Sequence, residues 1–279
     1  MQFSGGTAVI TGAASGIGLA LARHAAAEGM NLVLADIDAN GLRSAADSLA
    51  IASERVLCVP TDVRHGEAIE ALANAAYARF GAVHLLCNNA GVALGRLYWE
   101  HTVQDWEWVL GVNLWSVIHG VRIFLPRMQA AGLPAHIVNT ASAAGLVSTP
   151  GVAAYNVSKH GVVTLSETLF HELRLVGSPV GVSVLCPAWV PTGIGQSERS
   201  RPADAGQAQA PGDISAAIAR RIGKAIASGH LSADDIANET FTAVAERRFY
   251  VIPHRGINAS IEPRMQAILA QTDPPNPSP

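Results

Sequence analysis

Charge and sulfur are both scarce in this chain of 279 residues. Charged side chains make up 15%, and the formal net charge is −3. That balance provides no basic stripe of the kind a nucleic-acid partner needs. There are three cysteines, Cys58, Cys87 and Cys186, each inside an apolar run and none at metal-ligand spacing. They read as buried free thiols of a reducing compartment, not as a disulfide framework. The ten histidines form no convincing metal pair either, so no metal is expected. No basic segment followed by an apolar stretch and a cleavage site opens the chain, so no signal peptide is expected. No run of roughly 18 apolar residues is seen, so no membrane-spanning helix is expected. No internal repeat interrupts the sequence. The expectation is a cytoplasmic protein with one domain over residues 1–270 and a proline-rich, disordered tail at 271–279.

Apolar residues are abundant, at 49%. They fall into short runs that alternate with longer stretches of helical periodicity. Thr7 to Ile10, Asn31 to Ala35, Val56 to Val59, Val83 to Cys87, His136 to Asn139, Gly181 to Leu185 and Arg248 to Ile252 read as seven strands. Between them, Leu19 to Glu28, Asp38 to Ala52, Gly66 to Phe80, Gln104 to Met128 and Gly151 to Leu175 read as helices, the fourth bent or ended near Pro126. Such alternation builds a doubly wound, mostly parallel α/β sheet of the Rossmann type, with helices on both faces. Ligands of such sheets bind outside the carboxyl ends of the strands. The polar punctuation falls there, at Gly12, Asp36, Asp62, Asn88-Asn89, Ser142 and Pro187.

The first of these ends is the most informative. A strand breaks into Gly12-Ala-Ala-Ser-Gly16-Ile-Gly18, and a helix follows. Glycines there let the backbone turn tightly and approach a pyrophosphate at the positive helix N-terminus. Asp36 ends the next strand, where a carboxylate accepts hydrogen bonds from a ribose diol and repels a 2′-phosphate. No Arg or Lys stands beside Asp36 or within the glycine turn, which favours NAD over NADP.

Tyr155 and Lys159 lie four apart, on one face of a helix. A free phenol has a pKa of about 10, and a neighbouring ammonium lowers it. Bringing it to about 7 takes roughly 4 kcal/mol, more than one lysine near the surface provides. A second positive charge, such as an oxidised nicotinamide, makes up the difference. The pair therefore makes chemical sense beside a cofactor.

Beyond residue 192 the pattern changes. Residues 193–212 are rich in Ser, Gly, Ala and Gln and read as a mobile loop, the start of a substrate lid over about 193–230. Asp213 is a candidate N-cap for a helix to about Ser228. Ser232 and Asp235 form a candidate capping box, and a short helix is expected around Pro263 to Leu269.

Taken in order, Thr11-Gly-Ala-Ala-Ser-Gly-Ile-Gly18, Asp62, Asn88-Asn-Ala-Gly91, Asn113, Ser142, Tyr155 with Lys159, and Pro187 with Thr192 resemble the motifs of the short-chain dehydrogenases/reductases in their single-domain form. The resemblance runs from about Gly5 to Ile252. One departure is Ala188, where that family commonly has glycine. The resemblance implies a role for each position. Gly12, Ser15, Gly16, Ile17 and Gly18 would take the pyrophosphate and Asp36 the adenine ribose. Asp62 and Val63 would meet the adenine, and Asn89, Ala90 and Gly91 would line the cofactor, the asparagines also tying strand ends together. Tyr155 would be the general acid/base and Ser142 would bond the substrate oxygen. Lys159 would hold the nicotinamide ribose, Asn113 would hold a relay water through its backbone, and Pro187, Val190 and Thr192 would bracket the nicotinamide. A homodimer or homotetramer is implied too.

Candidate pocket residues are Leu94, Ala144, Leu146 and Trp189, within or beside 93–99, 144–147 and 193–229. Their apolar character suggests a hydrophobic secondary alcohol or ketone, cyclic or aromatic. Trp99, Trp106, Trp108 and Trp115 read as packing or interface residues. The runner-up readings are an NADP-dependent ketone reductase, which Asp36 disfavours, and a non-catalytic dinucleotide sensor, which would not need Ser142, Tyr155 and Lys159 intact.

Overall fold

The computed structural model describes residues 3–206 and 210–275. Seven strands form one sheet: β1 (Thr7–Thr11), β2 (Asn31–Asp36), β3 (Val56–Pro60), β4 (Leu85–Asn88), β5 (Ala135–Thr140), β6 (Val180–Leu185) and β7 (Tyr250–Val251). Their order is β3-β2-β1-β4-β5-β6-β7, and every pairing is parallel. The chain reverses its direction of travel across the sheet between β3 and β4. That reversal opens the crevice at the carboxyl ends of β1 and β4 where such folds bind ligands.

The apolar strand runs are continuous because both faces are covered. Ala8, Ile10, Leu32 and Leu34 point into one core with α1 (Gly16–Ala27), α2 (Ala39–Ser48) and α8 (Ala233–Glu246). The intervening Val9, Val33 and Ala35 point into the other, with α3 (Gly66–Phe80), α5 (Ser116–Ala130) and α6 (Ala153–Leu175). This is the two-residue period of a strand.

The long helix expected over 104–128 is two helices joined by a wide turn. α4 (Val103–Leu110) starts on a capping box of Thr102 and Asp105, a π turn covers Gly111–Trp115, and α5 continues to Ala130. Pro126 does not end it. Pro126 and Arg122, whose carbonyl the proline leaves without its helical partner, are both exposed residues. By length and composition, Val103–Ala130 could cross a membrane. Here its apolar side is a core element: Trp108, Val109, Val117, Ile123 and Phe124 are buried against other helices and the sheet.

Three further boundaries differ from the sequence reading. The helix after β2 stops at Ser48, β7 is only two residues long, and α9 (Asn258–Ala270) starts five residues before an exposed Pro263. The Ser232–Asp235 capping box is present, and α7 spans Asp213–Ala227. The region read as a mobile loop folds into two 3-10 pieces kinked at Gln196 over Gly193–Ser200, and a single 3-10 turn at Ala203–Ala205. Positions 207–209 of it, and 276–279 of the tail, lie outside the described residues.

One core polar group sets an acid limit on the fold. The His136 ring in β5 bonds Ser183 Oγ across to β6 at 2.8 Å, and it packs so tightly that a Cβ on Gly181 would lie 2.6 Å from its Nδ1. Burial, with Arg247 nearby, pushes its pKa down to about 3. The unfolded chain takes up that proton at about pH 6.5 and the folded chain does not. Its contribution to stability is complete above about 6.5 and is lost at up to about 1.36 kcal/mol per pH unit as the pH falls toward 3. Urea midpoints measured down a pH series should therefore fall less steeply in His136→Gln than in the wild type. Parallel slopes would contradict the assignment.

Candidate active site

The carboxyl ends of the strands open onto a cavity of about 960 Å³. At one end lies the glycine turn. Gly12 has φ +67°, and a Cβ there would come within 2.9 Å of Ala90 Cα. A Cβ on Gly18 would lie 2.0 Å from Gly12 O, so no other residue fits without moving the backbone. Ser15 caps α1 in extended geometry but makes no side-chain capping bond, and no acid occupies the first turn. The free N–H groups of that turn are left for an anion. Asp36 closes this end: its carboxylate accepts from Ala14 N at 3.1 Å and from Asp38 N at 3.0 Å. The donor set and the close backbone approach fit a dinucleotide.

The asparagines tie the strand ends together. Asn89 donates to Thr11 O at 3.0 Å and accepts from Thr140 Oγ1 at 3.3 Å. Asn88 donates to Asn139 Oδ1 at 2.9 Å, and Gly120 leaves room for it, since a Cβ there would lie 2.1 Å from Asn88 Oδ1. Ala90 and Gly91 continue the cavity wall.

The chemical groups gather in the middle of the cavity. Gly145 packs on α6 so closely that a Cβ would sit 2.6 Å from Lys159 O. That contact sets Ser142 beside the N-terminal part of α6. The Ser142 hydroxyl stands close enough to the Tyr155 phenol to favour its ionised form, accepts from Ala144 N at 3.1 Å and donates to Pro187 O at 3.3 Å. Lys159 is buried and donates to Thr140 O at 2.8 Å, with its Nζ 5.6 Å from the Tyr155 ring centre. Burial raises the phenol above its ordinary value, against the Ser142 bond that lowers it. Burial also pushes Lys159 down to about 8. Tyrosine and lysine alone are thus poised away from an ion pair, as the single-lysine argument anticipates. Asn113 does not line the cavity. It is buried in the π turn, where its carboxamide accepts from Val92 N at 2.8 Å and donates to Val92 O and Ser158 Oγ.

Ser15, Gly16, Ile17, Gly18, Asp62, Val63, Pro187, Val190 and Thr192 all line the cavity, as do Ala144 and Trp189. Thr192 reaches the glycine turn, 3.3 Å from where a Gly16 Cβ would be. Leu94 and Leu146 require correction. Neither lines the cavity: Leu94 packs with Val92, Trp108 and Val109, and Leu146 packs against Val162, Val163 and their neighbours. Trp99 is mostly exposed and also stands outside it.

The sequence reading missed three groups. His254, dismissed there with the other histidines, accepts from Ala188 N at 3.1 Å through Nδ1 and lies 3.2 Å from Trp189 O through Nε2. It pins the loop that carries Pro187 and Trp189, and burial holds its pKa down. Arg64 grips Asp62 through Nε and Nη2 and reaches Asp204, in the turn Ala203–Ala205, at 2.9 Å. Burial raises the Asp62 carboxyl, but the bonds and charge of Arg64 outweigh it and hold it below the usual range. Arg201 bonds Asp105 at 2.7 Å and lies over the Trp108 ring at 4.1 Å. No local pattern announces these pairs.

A seven-stranded parallel sheet with a dinucleotide cradle at its reversal point, and a serine, a tyrosine and a lysine beside it, defines an oxidoreductase of alcohols and ketones. The family model described as short chain dehydrogenase matches residues 6–203, and the chain belongs to that family. It is 49% identical to a short chain dehydrogenase/reductase from Burkholderia phymatum whose crystal structure is in complex with NAD, with a TM-score of 0.97 and coverage of 100% of this chain and 99% of that one. It is 34% identical to a CLA biosynthesis dehydrogenase/reductase of Lactiplantibacillus plantarum, over 95% of this chain and 93% of that protein. It is 35% identical to a 1-deoxy-11-beta-hydroxypentalenate dehydrogenase of Streptomyces exfoliatus, over 98% and 91%.

Proposed function

We propose that the protein oxidises a hydrophobic secondary alcohol, or reduces the corresponding ketone, with NAD. The Burkholderia phymatum relative is in complex with NAD, and the glycine turn and Asp36 of this chain suit the same dinucleotide. The observation that carries the reading is the convergence of Ser142, Tyr155 and Lys159 on the cavity that the glycine turn also lines. Asp36 stands where a 2′-phosphate would be repelled. Arg64, a cation near the dinucleotide end, is engaged by Asp62 and Asp204. Val147, Val152, Trp189, Ile222 and Ile226 make the substrate end apolar.

Glycine-turn N–H groups and Asp36 would hold the dinucleotide, and Lys159 its nicotinamide ribose. The bound nicotinamide supplies the hydride acceptor. Tyr155 takes the hydroxyl proton of the alcohol as hydride leaves the carbinol carbon, while Ser142 donates to the substrate oxygen. In reduction Tyr155 returns the proton. Burial disfavours the phenolate; Lys159, with the positive charge that the bound oxidised cofactor would supply, would offset that cost. Asn113 acts through the π turn by holding the backbone near Lys159. A cytoplasmic homodimer or homotetramer fits this reading, with exposed Trp115 on the α4–α5 helix as a candidate contact.

The test is a panel of aliphatic, alicyclic and aromatic secondary alcohols offered with NAD and with NADP, followed by nicotinamide absorbance. The expected result is turnover with NAD on the apolar members. Asp36→Ser should lower kcat/KM for NAD by about tenfold or more and narrow the gap to NADP, because it removes two charge-assisted hydrogen bonds and the repulsion together. Preference for NADP in the wild type would refute the Asp36 argument.

A further inference from the structure

We propose that the substrate carries a carboxylate at the end remote from its carbinol, held by Arg221 at the mouth of the cavity. This rests on the alcohol dehydrogenase reading above and narrows its substrate class.

Three observations converge on Arg221. First, it stands on the inward stripe of the lid helix. Ile218, Arg221, Ile222 and Ala225 all line the cavity, and their spacing puts them on one face of α7. That face is pressed onto the cavity rim: a Cβ on Gly151 would lie 2.5 Å from Ile218 Cγ2. The stripe is otherwise apolar, and Arg221 is itself exposed, so it stands at the solvent-facing edge of the stripe, bordering the cavity.

Second, Arg221 has no partner among the described residues. The other arginines lining the cavity are engaged. Arg64 is bonded to Asp62 and Asp204, and Arg199 donates to Gly193 O at 3.0 Å. No hydrogen bond or ion pair involves Arg221, nor the neighbouring Arg220 and Lys224.

Third, the charges along the cavity are segregated. Its acidic lining residues are Asp36, Asp38 and Asp62, all at the dinucleotide end. The substrate end has apolar walls and a cationic mouth. A guanidinium at the exposed rim of an apolar chamber can take a carboxylate through two of its N–H groups at once. The matching substrate is amphiphilic: an apolar body, a secondary hydroxyl near Tyr155, and an anionic end at the lid.

The experiment uses matched pairs. Secondary hydroxy acids with short, medium and long apolar spacers are offered with NAD, each beside its methyl ester, to wild type and to Arg221→Gln, Arg221→Lys and Arg221→Glu. Binding of NADH by fluorescence checks that each variant retains a folded cofactor site. In the wild type, one spacer length should favour the acid over the ester by about tenfold or more in kcat/KM. Arg221→Gln should bring the acid down to the level of the ester through KM, leaving kcat and the ester unchanged. Arg221→Lys should restore part of the preference, and Arg221→Glu should reverse it. Equal treatment of acid and ester by the wild type, or an equal loss on both in Arg221→Gln, overturns the inference while leaving the alcohol dehydrogenase reading in place. Inertness of every acid and every ester, with NADH bound, overturns both.

Discussion

Replacing Tyr155 with phenylalanine should lower turnover by about 10²–10⁴-fold while leaving the affinity for NADH within about twofold. The loss is confined to chemistry because the ring is kept. Phenylalanine fills the same volume beside Ser142, and Lys159 keeps its bond to Thr140 O. What disappears is the hydroxyl that, in the proposed reading, takes the alcohol proton. Lys159 is no substitute: it is buried, pointed at a backbone carbonyl, and already pushed down to about 8 by desolvation. Stopped-flow and steady-state rates on the best alcohol, with NADH titrated by fluorescence, separate the two effects. A variant keeping more than about a tenth of the wild-type rate would show that another group moves the proton. Ser142→Ala should cost turnover as well, with its effect already partly contained in that of Tyr155→Phe, because the two hydroxyls act on one oxygen.

Much of this site is visible before folding because its signals are local. Gly12 and Gly18 are dictated by a turn seven residues long. Tyr155 and Lys159 are one helical turn apart, and Asp36 ends the strand that follows the glycine turn. Each can be read within one strand–turn–helix unit. The lid is different. Arg64 and Asp204 are 140 residues apart, and Arg201 and Asp105 are 96 apart. At those separations an arginine and an aspartate look like any two surface charges, so the segment with its glycines and serines reads as a mobile loop. The π turn at Gly111–Trp115 is hidden for another reason. Widening one turn by a residue barely disturbs the apolar period, so the helix reads as continuous. Leu94 and Leu146 mark a further limit: an apolar residue near a strand end satisfies a pocket wall and a packed core equally well, and only the direction of its backbone decides.

Arg201→Ala should destabilise the protein by about 3–5 kcal/mol and lower its melting temperature by roughly 10 °C. The Arg201 and Asp105 side chains are only 5% and 2% exposed, and their ion pair is 2.7 Å long. Removing the guanidinium leaves the Asp105 carboxylate buried without its ion-pair partner, with the Thr102 backbone N–H at the start of α4 and the charge of Arg96 still acting on it. It also strips the cation from the face of Trp108, which lines the cavity, and frees the turn at Ala205 that Arg201 donates to. A paired change separates these terms. Asp105→Leu with Arg201→Met replaces a buried ion pair by apolar volume, which is often neutral or stabilising in itself. The capping bond to Thr102 is still lost, at a cost of about 1 kcal/mol. The double variant should therefore be more stable than Arg201→Ala, by urea midpoint and by melting temperature. The kinetics should follow the lid and not the fold. Arg201→Ala should raise KM for the alcohol several-fold with KM for NAD nearly unchanged, because Arg201 steadies Trp108 and the turn at Ala205, which in the proposed reading belong to the substrate end of the cavity, and among the described residues the glycine turn makes no bond to Arg201. A single variant within about 1 kcal/mol of wild type would mean that the lid is anchored elsewhere. Arg64 on Asp204, with the Ser197 and Ser215 hydroxyls that accept from Ala93 N and Leu97 N, would then hold the segment, and Asp204→Ala should produce part of the change in KM instead.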